Sequence, residues 1–197
     1  MNAGSNSSAR LRAALDGAAA AQTPALALAV LDAAHAVGPL DDAVIFHHAR
    51  SRLLVALGRL DDAIVAADRA VVLAPGVPDL GVNLGAALLA RFRQSKNRDD
   101  LSRARRVLED ALALGPRLPE VRSTLAVVLD QQGESAAALA LCDENLRLFP
   151  DDPVTLFNKA ACLASLGKTQ DVRALLETLS TTFPPAKDAL ARLDLKT

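Results

Sequence analysis

Three histidines, two cysteines and a scatter of carboxylates are the residues with the chemistry to hold a metal or attack a bond. His47 and His48 are neighbours in the run "AVIFHHARSRLL". On a helix, adjacent side chains point about 100° apart, whereas a metal asks for two imidazoles on one face, as at i and i+4. His35 belongs to a different apolar segment and completes no ligand set, so His47 is read as a packing residue. Cys142 and Cys162 sit inside the apolar runs "ALALCDENL" and "NKAACLASL", where a thiol acts as a small hydrophobe. The pair Asp61 and Asp62 opens a helical run, the place of a cap rather than of an acid–base couple. The chain has no nucleophile elbow, no phosphate-cradling glycine loop and no CxxC. It is therefore read as non-catalytic, with no cofactor and no metal.

Bulk properties narrow the partners. The 197 residues are 51% hydrophobic and 23% charged, with a net charge of −1. That is enough apolar surface for a core, but too little positive field for a nucleic-acid or membrane-surface binder. Alanine and leucine dominate, and Trp and Tyr are absent, which favours helices over strands. The longest clean apolar run, "PALALAVL" from Pro24, stops at Asp32, too short to cross a bilayer. A cytoplasmic location is expected.

The elements that must position any site are marked by prolines. Pro39, Pro75, Pro116, Pro150 and Pro184 stand 36, 41, 34 and 34 residues apart. Twelve residues before them come Ala27, Ala63, Ala104, Ala138 and Val172, and five before them Ala34, Ala70, Ala111, Asn145 and Leu179. Small residues at such points let two helices approach closely. A second proline follows three residues after the first in "LAPGVPDLG", "LGPRLPEVR" and "LFPDDPVTL". There the first proline ends a helix pair, and the second opens the next helix, where its missing N–H costs nothing. Gly58, Gly133 and Gly167 each close a first helix, where positive φ is wanted.

Within "GVNLGAALL", Leu84, Gly85 and Leu88 have the spacing of the Leu-Gly-x-x-Tyr signature, and Ser51, Ala126 and Ala160 stand where Gly85 does. With a period near 34 residues, the chain resembles a tetratricopeptide-repeat (TPR) protein over nearly its whole length. The resemblance implies an all-α fold, a right-handed superhelical α-solenoid of about five helical hairpins plus a short C-terminal helix. Residues 1–7 are expected to be disordered. The array then covers 8–186, in units of about 8–41, 44–77, 78–118, 119–152 and 153–186, and 187–197 forms a capping helix or a truncated sixth unit. The first unit is degenerate, with Leu15 at the small crossing position and Gln22 at the turn glycine. The third is seven residues longer, which is read as one extra turn on each of its helices.

The resemblance further implies a concave groove lined by the first helices, holding a partner peptide or helix. Helical spacing puts His48, Arg52, Asn83, Thr124, Val127, Phe157 and Asn158 on that face. Asn83 and Asn158 occupy equivalent positions, with Thr124 between them, and an amide can both donate to and accept from a peptide backbone. The lysines of a chaperone-tail clamp are missing from this face. Arg91, Arg93, Lys96 and Arg98 mark a secondary basic tip on the long hairpin, suited to an acidic partner. The leading expectation is a protein–protein interaction scaffold. The alternatives are a homodimerising array, or an appendage of a larger enzyme of glycosyltransferase, sulfotransferase or hydroxylase type. Arg50 and Lys159 stand where a packed leucine is usual, and Asn145 where a buried alanine is, so each must find a partner.

Overall fold

Alanine- and leucine-rich runs between proline and glycine stops satisfy their backbone hydrogen bonds most simply as helices. The computed structural model describes residues 3–37 and 43–194, and the described residues form eleven α-helices and no strand. Five pairs follow one another: α1 (Ala3–Ala20) with α2 (Pro24–Val37), α3 (Val44–Ala56) with α4 (Leu60–Leu73), α5 (Pro78–Ser95) with α6 (Arg98–Leu114), α7 (Pro119–Gln131) with α8 (Ser135–Leu148), and α9 (Pro153–Ser165) with α10 (Thr169–Leu179). A short α11 (Pro184–Asp194) comes last. Pro39, the first of the sequence markers, lies outside the described residues.

Helix α1 corrects one expectation. It begins at Ala3, within the stretch read as disordered. Leu11, Ala14, Leu15 and Ala18 anchor it against Leu31 and Phe46, and once a helix is nucleated, extending it by further turns is favourable. The degenerate turn that follows is closed by another device: the Thr23 hydroxyl accepts from the Leu26 amide at 3.2 Å.

Elsewhere the proline and glycine signals act as read. Pro78, Pro119 and Pro153 each take the first helical positions of α5, α7 and α9. Gly58, Gly133 and Gly167 have φ of 72°, 90° and 75°. In the long hairpin, α5 has 18 residues and α6 has 17, against 13 for α3 and 14 for α4. There Lys96 takes the left-handed position at φ 59°, donating its amide to the Phe92 carbonyl. Asp61 and Asp62 do lie in the first turn of α4, yet neither caps it; the N-cap residue is Arg59, which makes no side-chain cap bond but pairs with Asp62 at 2.6 Å.

The chain divides into two compact units, residues Met1–Arg103 and Ala104–Thr197, the division falling inside α6. In the first unit, α3 packs against α2, α4 and α5. Ala63, Ala67 and Ala70 of α4 are buried with Leu54 of α3, so the small residues bring the two backbones together. Ser51 is tolerated at this buried crossing because its hydroxyl donates to the Ala63 carbonyl at 2.8 Å. His35 stacks on Phe46 at 5.0 Å, and His47 meets the same ring edge-on at 5.2 Å. Arg50 reaches Asp32 on the preceding helix at 2.8 Å, which settles how a cation occupies a leucine position.

In the second unit, α9 packs against α8, α10 and α7. Lys159 repeats the solution of Arg50, reaching Asp143 on the preceding helix at 2.7 Å. Asn145 is fully buried, and its amide donates to Thr155 Oγ1 at 2.6 Å, Ser123 Oγ at 3.3 Å and the Pro119 carbonyl at 3.2 Å. Thr155 in turn donates to Asp152, whose carboxylate also accepts the Thr155 amide at 2.9 Å. Since that donation uses the only proton on Thr155 Oγ1, Ser123 is the donor in the 2.7 Å bond between the two hydroxyls. A polar knot thus ties α7, α8 and α9 together. Cys142 and Cys162 are buried free thiols, hydrogen-bonded to each other; that bond, with burial, pushes the Cys142 thiol well up and keeps it protonated.

Candidate functional surfaces

In the first unit, α3 and α5 lie side by side and present the residues expected to face a groove. His48 and Asn83 are half-buried, while Arg52 is exposed. The His48 imidazole is held neutral: burial lowers its pKa below the ordinary 6.5, Arg52 lowers it further, and Asp79 opposes them. His48 Nδ1 and Asn83 Nδ2 are buried and have no hydrogen-bond partner. Leaving such a group unpaired costs about 1–3 kcal/mol.

In the second unit, α7 and α9 form the corresponding pair. Asn158 sits where Asn83 does, but its amide is already engaged, donating to the Ser123 carbonyl at 3.1 Å. The Thr124 hydroxyl donates to Glu120 on its own helix at 2.8 Å. Val127 is half-buried, as is Phe157, whose ring packs against Phe183 with centroids 5.6 Å apart. The seven residues expected on one face therefore differ in kind. Asn83 and His48 hold unspent polar atoms, whereas Asn158 and Thr124 have partners.

The basic tip is partly spent on the protein itself. Arg91 grips Asp100 with two bonds, at 2.6 Å and 3.0 Å, and reaches Asp61 at 2.8 Å. Asp100 is almost wholly buried, so Arg91 is the counter-charge that lets a carboxylate enter the core, and it is not a cation waiting for a ligand. Arg103 pairs with Asp68, and Arg105 with Glu109 and Glu134. Arg93, Lys96 and Arg98 remain exposed, Lys96 lying over the Phe92 ring at 5.5 Å.

The second unit also holds a cavity of about 250 Å³ that no sequence motif marks. Phe157, Ala161 and Ala164 of α9, Val172 and Leu176 of α10, and Ala189, Arg192 and Leu193 of α11 line it. The signal was present as alanines at 160, 161, 164 and 189, where facing helices ordinarily interdigitate larger side chains. It was hidden because nothing local shows that those alanines meet.

Among the described residues, no group of three potential metal ligands converges, and no helix is long and apolar enough to cross a membrane.

Solved structures resemble the chain along most of its length. The thermophilic TPR protein TTC0263 of Thermus thermophilus superposes with a TM-score of 0.78 at 22% identity, over 96% of this chain and 99% of that one. MamA gives 0.66 at 16%, over 86% and 90%. YrrB, described as a TPR protein with an unusual peptide-binding site, gives 0.57 at 19%, over 81% and 77%. The fold is that of tetratricopeptide repeats. No family model and no curated protein matches the sequence.

Proposed function

We propose that this chain, built on the tetratricopeptide-repeat fold, is a non-catalytic scaffold that binds a peptide or helix of a partner protein on its first-helix faces. The observation that carries the reading is the pair of unspent polar atoms, Asn83 Nδ2 and His48 Nδ1, on the adjacent helices α5 and α3. A peptide backbone lying over them brings a carbonyl for the amide of Asn83 and an N–H for the neutral imidazole of His48. A small rotation of either side chain then exchanges a buried unpaired group for a hydrogen bond. Arg52 stands beside them in solvent, ready to meet an acidic side chain. The second unit has a first-helix face of its own, on which Thr124, Val127 and Phe157 offer polar and apolar contact while Asn158 fixes α9 on α7 rather than touching a partner. The peptide-binding site of YrrB, a structure of the same fold, is consistent with this role.

The test compares Asn83→Ala with Asn158→Ala as tagged baits, with quantitative mass spectrometry of the captured proteins and circular dichroism to confirm folding. Loss of a specific partner with Asn83→Ala alone is expected. Equal capture by wild type and both variants refutes the reading.

A second reading has its own observation. Val65 and Val72, seven residues apart on one face of α4, are 68% and 71% exposed, the kind of apolar stripe that a second copy covers. Light scattering over a dilution series separates the two, because a dimer that persists at micromolar concentration supports self-assembly.

A further inference from the structure

The cavity between α9, α10 and α11 has a composition that specifies what enters it. Apart from Arg192, every side chain lining it is apolar: Phe157, Val172, Leu176, Leu193 and the alanines. Its volume of about 250 Å³ falls below the ~300–1,000 Å³ of small-molecule and cofactor sites. It has room for a large side chain of another protein rather than for a cofactor. The surrounding α9 surface leads into it: Val154 is exposed, and Phe157, Ala161 and Ala164 follow at helical spacing, so an incoming chain finds a continuous apolar track.

The one charge is placed at the edge. Arg192 is exposed and makes no ion pair with any described residue, including Asp188 one helical turn before it. Arg52, Arg93 and Arg98 are exposed cations as well, but among them Arg192 is the one that lines this cavity. A solvent-facing guanidinium beside an apolar hole selects a carboxylate one or two residues from the apolar anchor, because it offers a two-pronged donor to a planar anion.

We propose that this cavity is a specificity pocket for a partner segment carrying a large apolar side chain, Leu, Ile, Met or Phe, within about one helical turn of an Asp or Glu. The proposal rests on the scaffold reading above and names the chemistry of the partner. Apolar burial supplies the affinity, and the Arg192 contact sets which apolar segments are accepted.

The test selects a phage-displayed random dodecapeptide library against the full chain and against two variants. Arg192→Glu reverses the rim charge. Ala161→Phe fills the cavity from an exposed position, where a larger side chain is tolerated by the fold. Wild type is expected to enrich peptides pairing a large apolar residue with an acid. Arg192→Glu is expected to exchange the acid for Lys or Arg, a reversal that a merely structural role for Arg192 does not produce. Ala161→Phe is expected to lose the apolar requirement. For a synthetic peptide of the enriched sequence, fluorescence anisotropy should show about tenfold weaker binding to each variant.

Three results overturn the proposal, and they are distinguishable. If all three proteins enrich one motif that Asn83→Ala abolishes, the scaffold reading stands and the pocket is not its reader. If wild type enriches nothing, both fall. If wild type sediments as a dimer that Ala161→Phe or Arg192→Glu dissociates, the occupant is a second copy of this chain.

Discussion

Replacing Thr155 by valine tests whether the polar knot of the second unit supports the fold. Thr155 is fully buried, and its hydroxyl makes three bonds: it donates to Asp152 and accepts from Asn145 at 2.6 Å and from Ser123 at 2.7 Å. Valine nearly matches threonine in shape, so no cavity term enters and the loss is one of hydrogen bonding. Asn145 keeps Ser123 and the Pro119 carbonyl within reach at 3.3 Å and 3.2 Å, and Asp152 keeps the Thr155 amide. The Ser123 hydroxyl loses the acceptor it has in Thr155 Oγ1. At about 1 kcal/mol for a net hydrogen bond and 1–3 kcal/mol for a stranded buried donor, Thr155→Val should cost about 2–4 kcal/mol. Thr155→Ser retains the hydroxyl and gives up one methyl, for about 1 kcal/mol. Urea unfolding followed by far-UV circular dichroism reads both as shifts in midpoint at unchanged slope. A double-mutant cycle with Asn145→Ala should return a coupling of about 1 kcal/mol. If the valine variant is as stable as wild type, or the serine variant is the weaker of the two, the knot is not what holds α7, α8 and α9 together.

Other expectations follow from contrasts within the molecule. Arg91→Ala strands Asp100, whose side chain is only 4% exposed, and should cost about 3–5 kcal/mol in a chemical melt; Asp61→Ala removes a partner that is 87% exposed and should cost less than about 1 kcal/mol. His48 binds its proton less readily folded than unfolded, because of burial and then Arg52, so the stability it contributes is present above 6.5 and declines as pH falls below that value. His48→Gln should flatten that acid limb in melts between pH 7 and 5. A Cβ added at either Gly133 or Gly76 meets nothing within 4 Å, but only Gly133 has positive φ, at 90°. Gly133→Ala should therefore lose about 1 kcal/mol while Gly76→Ala is neutral or slightly stabilising, as thermal unfolding will show.

The helices and their ends were readable from the chain because their causes are local. A proline at a first helical position, a glycine at positive φ and an alanine twelve residues before four of the five breaks act within one or two turns, wherever the rest of the molecule lies. Helical character followed from those signals, and the array of hairpins from the family resemblance that their recurrence carries. Sequence also placed the odd residues, Arg50, Lys159 and Asn145, at positions that demand partners, without identifying Asp32, Asp143 or Thr155 as those partners.

What depended on packing is the state of each polar atom. Asn83 and Asn158 are indistinguishable by register, yet one amide is bound to the Ser123 carbonyl and the other has no acceptor. Arg91 counts as one more cation at a hairpin tip until Asp100 is found beneath it, reached from a neighbouring helix nine residues on. The alanines of α9 and α11 became a cavity only once two helices and the end of a third were set against one another. Helical periodicity records which face a side chain takes. Whether that side chain meets an acceptor, a carboxylate or empty space depends on tenths of an ångström between helices distant in the chain, and only the packed structure sets those distances.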